Sequence, residues 1–151
     1  MTRMILKWLS VADRFAKLHL DNQLASLGIN SSQYMYLIWI CRRPGISQDS
    51  LMERFYVHPS NIVRTVAALE AKGYLTREPC EEDRRTWRLY PTEAARAALG
   101  QIEAACARTV EVLSETLSPE EQTALEELLC RAGKRMAREL NVVRREDESD
   151  G

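Results

Sequence analysis

At 151 residues the chain can hold one domain with a real core, and a formal net charge of −1 supplies no bulk basicity to announce a nucleic-acid partner. No apolar run approaches the ~20 residues of a membrane span, and the N-terminus lacks the charged-then-apolar layout of a secretory signal. Cys41, Cys80, Cys106 and Cys130 form no Cys-x-x-Cys pair and have only two histidines beside them, which excludes a zinc finger or ribbon and leaves a reduced, cytoplasmic chain without metal or cofactor as the expectation.

Helix signals dominate from the start. Residues 4–26 predict a first helix, with Ile5, Leu9, Ala12, Ala16 and Leu20 along one stripe and Gly28 as its stop. Asn30 is placed to cap the second, with Gln33 completing a capping box. Tyr34, Leu37, Ile38 and Cys41 would form its inner face until Pro44-Gly45 ends it. Ser47 caps a third helix, Ser47–Phe55, and Asp49 in its first turn complements the dipole. Pro59 suits the first position of a fourth helix, Pro59–Gly73, because no N–H is needed there, and His58 is left at the cap. Ile62, Val66 and Leu69 make its core stripe. Its other face carries Ser60, Asn61, Arg64, Thr65 and Ala68, with no bulky apolar residue expected among them.

Residues 74–90 read as a two-stranded hairpin. Trp87 and Leu89 alternate with Thr86 and Arg88, the period of a half-buried strand, and the charged tip runs through Glu81, Glu82, Asp83, Arg84 and Arg85. Thr92 caps a fifth helix with a seam at Leu99, Ile102, Cys106, Val110, Leu113 and Leu117. Ser118-Pro119-Glu120-Glu121 opens a sixth, striped by Leu125, Leu128, Leu129, Ala132, Met136 and Leu140. These long helices present more apolar stripe than the central lobe can cover, so a homodimer is expected. The acidic residues 142–151 read as a disordered, solvated tail. No internal repeat or interdomain linker is visible.

Two helices joined by a tight turn and followed by a basic hairpin are how a small domain lays one helix in a major groove and an arginine in the neighbouring minor groove. From Arg42 to Tyr90 nine Lys/Arg stand against seven Asp/Glu, a slight basic bias that matters only if the arginines share a face. Arg64 can fork onto a guanine and Asn61 onto an adenine. Ser60 lies where helix N-terminal groups meet phosphate, and Ser47, His58, Thr65, Arg84, Arg85 and Arg88 complete the expected DNA-binding set.

Leu24-x-x-x-Gly28-Ile29, Gln33-Tyr34, Leu69-Glu70-x-Lys72-Gly73-Tyr74-Leu75-x-Arg77, Asp83-x-Arg85 and Pro91-Thr92 together carry a resemblance. Over about residues 5 to 140 the chain resembles the MarR family of winged-helix transcriptional regulators. It departs from the pattern in opening the recognition helix with His58-Pro59, in Pro91 where Leu is usual, and in a more acidic wing. The resemblance implies a mostly α fold with a small β-hairpin: a winged helix-turn-helix on a base of dimerisation helices, about 3–27, 92–117 and 118–141, with the DNA-binding lobe at about 30–91. It also implies that Asp83 and Arg85 pair to stabilise the wing, leaving Arg84 freer to touch DNA; the residues alone do not divide these roles. Small aromatic or anionic effectors bind such proteins between base and lobe, which places Arg14, His19, Tyr36 and Trp39 around an effector pocket. Some members sense peroxide through a cysteine on the first helix, and this chain has none there. Cys41 and Cys106 read as small hydrophobes, and Cys80 as an exposed thiol whose pKa three nearby carboxylates raise.

The expected function is that of a homodimeric, sequence-specific regulator of transcription. It would bind an inverted-repeat operator in double-stranded DNA and repress until a small molecule releases it. The alternative is a winged-helix module that binds protein and never DNA. Aromatic or aliphatic anchors on the fourth helix would favour it, and the polar residues there do not. An enzyme is not expected, because no nucleophile and base are clustered.

Overall fold

The structure, a computed structural model, describes residues 2–140, so the expected tail at 142–151 lies outside the described residues. Helix α1 (Thr2–Leu24) runs into a single 3-10 turn, Ala25–Leu27, and is followed by α2 (Tyr34–Arg42). Then come the short strand β1 (Ile46–Ser47), α3 (Gln48–Arg54) and α4 (Pro59–Ala71). Strands β2 (Leu75–Pro79) and β3 (Trp87–Pro91) form the hairpin, and α5 (Glu93–Ser114) and α6 (Pro119–Glu139) complete the chain. The fold is mostly helical with an antiparallel wing.

The wing has three strands, one more than expected. β3 lies centrally, pairing Ile46 with Leu89 on one side and residues 75–79 with 91–87 on the other. β1 is only two residues long, too short for a period-2 signal to announce it. Gly45 makes the entry to it possible: its φ is +88°, and a Cβ there would stand 3.4 Å from the Tyr90 hydroxyl.

Side-chain caps set most helix starts. Oγ of Ser47 accepts the Ser50 N–H at 3.1 Å, Oγ1 of Thr92 that of Ala95, and Ser118 with Glu121 closes a full capping box. The start of α2 differs from expectation. Gln33 Oε1 accepts the Asn30 N–H at 3.3 Å, but Asn30 Oδ1 takes the N–H and hydroxyl of Ser32 instead of a helix amide. An Asn turn therefore occupies residues 30–33 and the helix begins at Tyr34. Its inner face shifts accordingly to Tyr36, Leu37 and Ile40, with Tyr34, Ile38 and Cys41 half-buried beside them.

The core is continuous across lobe and base. Leu24, Leu37, Ile40, Leu51, Leu69, Leu89 and Ile102 are wholly buried, joining α1, α2, α3, α4, β3 and α5. On α5 the inward residues are Ala95, Ala98, Ile102, Ala105 and Thr109, because small side chains let α1 and α2 approach closely. The expected leucine seam accordingly turns outward at its far end, where Val110 and Leu113 stand exposed. No residue of α6 is buried, and Leu128, Met136 and Leu140 are all exposed. With Ile5, Leu6, Trp8 and Leu9 of α1 equally exposed, the apolar surface of this single chain exceeds what an isolated soluble domain usually shows. No described helix is long and apolar enough to cross a membrane.

Candidate nucleic-acid interface

Helix α4 buries Ile62, Val66 and Leu69, and helical geometry turns Ser60, Arg64 and Ala67 directly outward. Val63 stands on one flank of that face, 55% exposed. It belongs to neither the core stripe nor the outer face read from the sequence, since it falls about 100° round the helix from Ile62. Its position beside Arg64 is that of an apolar group able to meet a thymine methyl. Asn61 and Thr65 lie on the opposite flank, with Asn61 exposed and Thr65 half-buried.

His58 begins this helix by an unusual route. Its Nδ1 accepts the Ser60 N–H at 3.2 Å, so that nitrogen carries a lone pair and the ring hydrogen sits on Nε2. The Ser60 hydroxyl, 2.8 Å from the same nitrogen, then donates to it as well. The cap leaves Nε2–H facing outward as a donor at the tip of the helix. Ser47, at the start of α3, uses its hydroxyl on Ser50.

At the wing tip the Arg85 N–H donates to Asp83 Oδ1 at 3.0 Å, and its guanidinium lies 3.7 Å from the same oxygen. With the Arg85 side chain 95% exposed, the ion pair adds little stability, and the backbone bond sets the turn. Arg84 is exposed and has no ion-pair partner among the described residues. Arg88 differs from both. It is half-buried and donates to the Gly45 carbonyl at 3.1 Å, which commits it to holding β3 against the entry to β1. Arg77 ties the wing to α4, 3.2 Å from Glu70 with its guanidinium over the Trp87 ring.

Cys80 is a correction. It is buried, 5% exposed, where β2 enters the tip. Its thiol is held below the ordinary value, first by the backbone N–H of Asp83, then by that of Glu82, with Arg88 assisting. The expected effect of the nearby carboxylates is reversed because their amides, not their side chains, meet the sulfur. Burial pushes the Cys41 and Cys106 thiols up, as suits small hydrophobes.

A cavity of about 800 Å³ opens between α1, α2, α5 and the flank of α4. Of the four residues expected around an effector, it brings in only Tyr36. Arg14 points from the exposed side of α1 over the Phe15 ring, and Trp39 packs between Arg54 at 3.5 Å and Arg43 at 5.3 Å. His19 reaches the rim indirectly, sharing a 2.8 Å hydrogen bond with Thr109, which lines the cavity. The residues that do line it from α1 are Asp13, Ala16, Lys17 and Leu20. Their spacing was available in the sequence, since Asp13 and Lys17 stand three or four residues from Ala16 and Leu20 on one helical face. Asn61, Arg64 and Thr65 of α4 line the other side.

A model described as MarR family matches residues 27–86, from the end of α1 to the wing tip. The chain is 27% identical over 128 residues to the uncharacterized HTH-type transcriptional regulator YybA of Bacillus subtilis, covering 85% of each. The solved structure of MarR superposes with a TM-score of 0.74 at 27% identity, covering 89% of this chain and 92% of that one. A cysteine-to-serine variant of MarR from E. coli, complexed with operator DNA, superposes with a TM-score of 0.76 at 22% identity, over 83% of this chain and 91% of that one.

Proposed function

This chain belongs to the MarR family of winged-helix transcriptional regulators, and from that premise we propose that it acts as a homodimeric repressor released by a small-molecule effector. Ser60, Arg64, Val63 and the Nε2–H of His58 read the major groove, while Arg84 and Arg85 reach a minor groove from the wing. The observation that carries this reading is the outer face of α4: Ser60 and Asn61 exposed around the Arg64 guanidinium, with no aromatic residue and Val63 as its single exposed large aliphatic. The similar fold of the MarR variant complexed with operator DNA supports it.

The uncovered apolar faces of α1, α5 and α6 support the dimer, which brings two reading heads to an inverted repeat. The effector is a small aromatic molecule, with or without an acidic group. It enters the cavity beside Tyr34, Tyr36 and Phe55, with Lys17 and Arg64 as the cations at its edge. Selection from a random-oligonucleotide pool, followed by titration of the enriched duplex with and without phenolic acids, tests the whole reading. Enrichment of an inverted repeat whose affinity falls as a phenolic acid is added is the expected result. A chain that enriches no duplex is a protein-interaction module instead, and one whose binding no such compound alters has no effector of this class.

A further inference from the structure

Helices α3 and α4 end in the same hydrogen-bonded motif with different residues at its turning point. After α4 the Gly73 N–H donates to the Glu70 carbonyl and the Tyr74 N–H to that of Leu69, both at 3.0 Å. After α3 the Tyr56 N–H donates to the Glu53 carbonyl and the Val57 N–H to that of Met52, both at 3.4 Å. Each motif needs a left-handed residue, and glycine supplies it without a Cβ penalty. Gly73 does so at φ +79°. Tyr56 does so at φ +54°, as the one non-glycine residue with positive φ among the described residues.

Packing does not account for a tyrosine there. Phe55 and Val57 on either side turn inward against the core, and Phe55 meets the rings of Tyr36 and Trp39 edge-on. Tyr56 is 39% exposed, joins no aromatic pair, and its hydroxyl has no hydrogen-bond partner among the described residues. A strained residue whose hydroxyl finds no partner in the fold points to a use outside it. Its place says which. Tyr56 lies two residues before His58, the cap of α4. When the front of such a helix enters a major groove, the turn before it rides at the groove's edge, where the sugar–phosphate strand runs.

We infer that Tyr56 is a further DNA-contacting residue, its phenol donating a hydrogen bond to a backbone phosphate beside the groove that α4 enters. This rests on the DNA-reading function proposed above. A neutral donor releases no counterion and reads no base. Its contribution is therefore the same on every sequence and at every salt concentration.

The test compares the full-length chain with Tyr56→Phe and Tyr56→Gly. The probes are the duplex that the wild-type chain enriches and a duplex of unrelated sequence. Tyr56→Phe is expected to bind both roughly 5–150-fold more weakly, the loss of one hydrogen bond from each protomer of the dimer, with salt slope and thermal midpoint unchanged. Tyr56→Gly is expected to bind at least as weakly while melting higher, a pairing that a purely structural tyrosine would not produce. Wild-type affinity in both variants, or a lower midpoint in Tyr56→Gly, overturns this inference alone. A changed enriched sequence overturns the assignment to phosphate, and a wild-type chain that enriches nothing overturns the DNA reading together with it.

Discussion

The ammonium of Lys72, just past α4, donates to Oε1 of Gln33, just before α2, at 3.2 Å. It also donates to the Gly28 carbonyl, while the phenol of Tyr74 holds that of Leu27. Gln33 is buried, and Lys72 gives its side-chain oxygen a second donor beside the Asn30 N–H. These bonds join the rear of α4 to the turn that follows α1.

Lys72→Met should cost about 1–2 kcal/mol, because the buried Gln33 oxygen keeps only its bond from Asn30. Adding Gln33→Leu should recover part of that loss, since the under-satisfied acceptor is then gone. Urea denaturation of the two single variants and the double gives the coupling energy. Strictly additive losses would mean that the two side chains do not interact.

Arg64→Ala should relax discrimination at one position in each half-site at a cost of about 1–3 kcal/mol. Arg84→Ala should weaken all duplexes alike and lower the salt slope by about one for each phosphate that the arginine no longer neutralises. Titrations of the enriched duplex and its single-base variants at several salt concentrations separate the two patterns.

Met136→Asp should break the dimer, because Met136 stands 58% exposed on the uncovered stripe of α6 and a carboxylate trapped there would lack a partner. The cost of a stranded buried charge, about 3–5 kcal/mol, corresponds to a rise in the dissociation constant of roughly 100-fold or more. Analytical ultracentrifugation reads this directly. A wild-type chain that is monomeric at micromolar concentration would remove the premise.

Stability should fall in alkali as a result of Tyr34 and Tyr36. Burial pushes both phenols above their ordinary value, and Cys106 adds to the shift at Tyr34. The unfolded chain ionises these groups from about pH 10, before the folded chain does. Their contribution is therefore complete below that pH and is lost as pH rises through the folded values. Urea midpoints of wild type and Tyr34→Phe/Tyr36→Phe should diverge only above about pH 10, with the wild type falling faster.

Most helix boundaries were legible because caps are local. Ser47, Thr92 and Ser118 each announced a start that the hydrogen bonds then reproduced. Features set by distant partners were not. β1 exists because Leu89 and Arg88 of β3 offer it a ladder, and the inner face of α2 depends on how Asn30 spends its side chain. The cavity illustrates the same limit. The resemblance points to Trp39, whose ring is occupied by Arg54, and to Arg14, one helical position away from the lining residue Asp13.

Arg64 lies both on the outer face of α4 and in the wall of the cavity, with Asn61 and Thr65 beside it. On the function proposed above, a substitution there would alter recognition and response in a single step. On that reading, a change of operator that spares the effector response would fall on Ser60 or Val63, which do not line the cavity. Variation would then be channelled: wing and far-flank residues would retune the address, and α1 and α5 the signal. Arg64 is left as the position where both are renegotiated together.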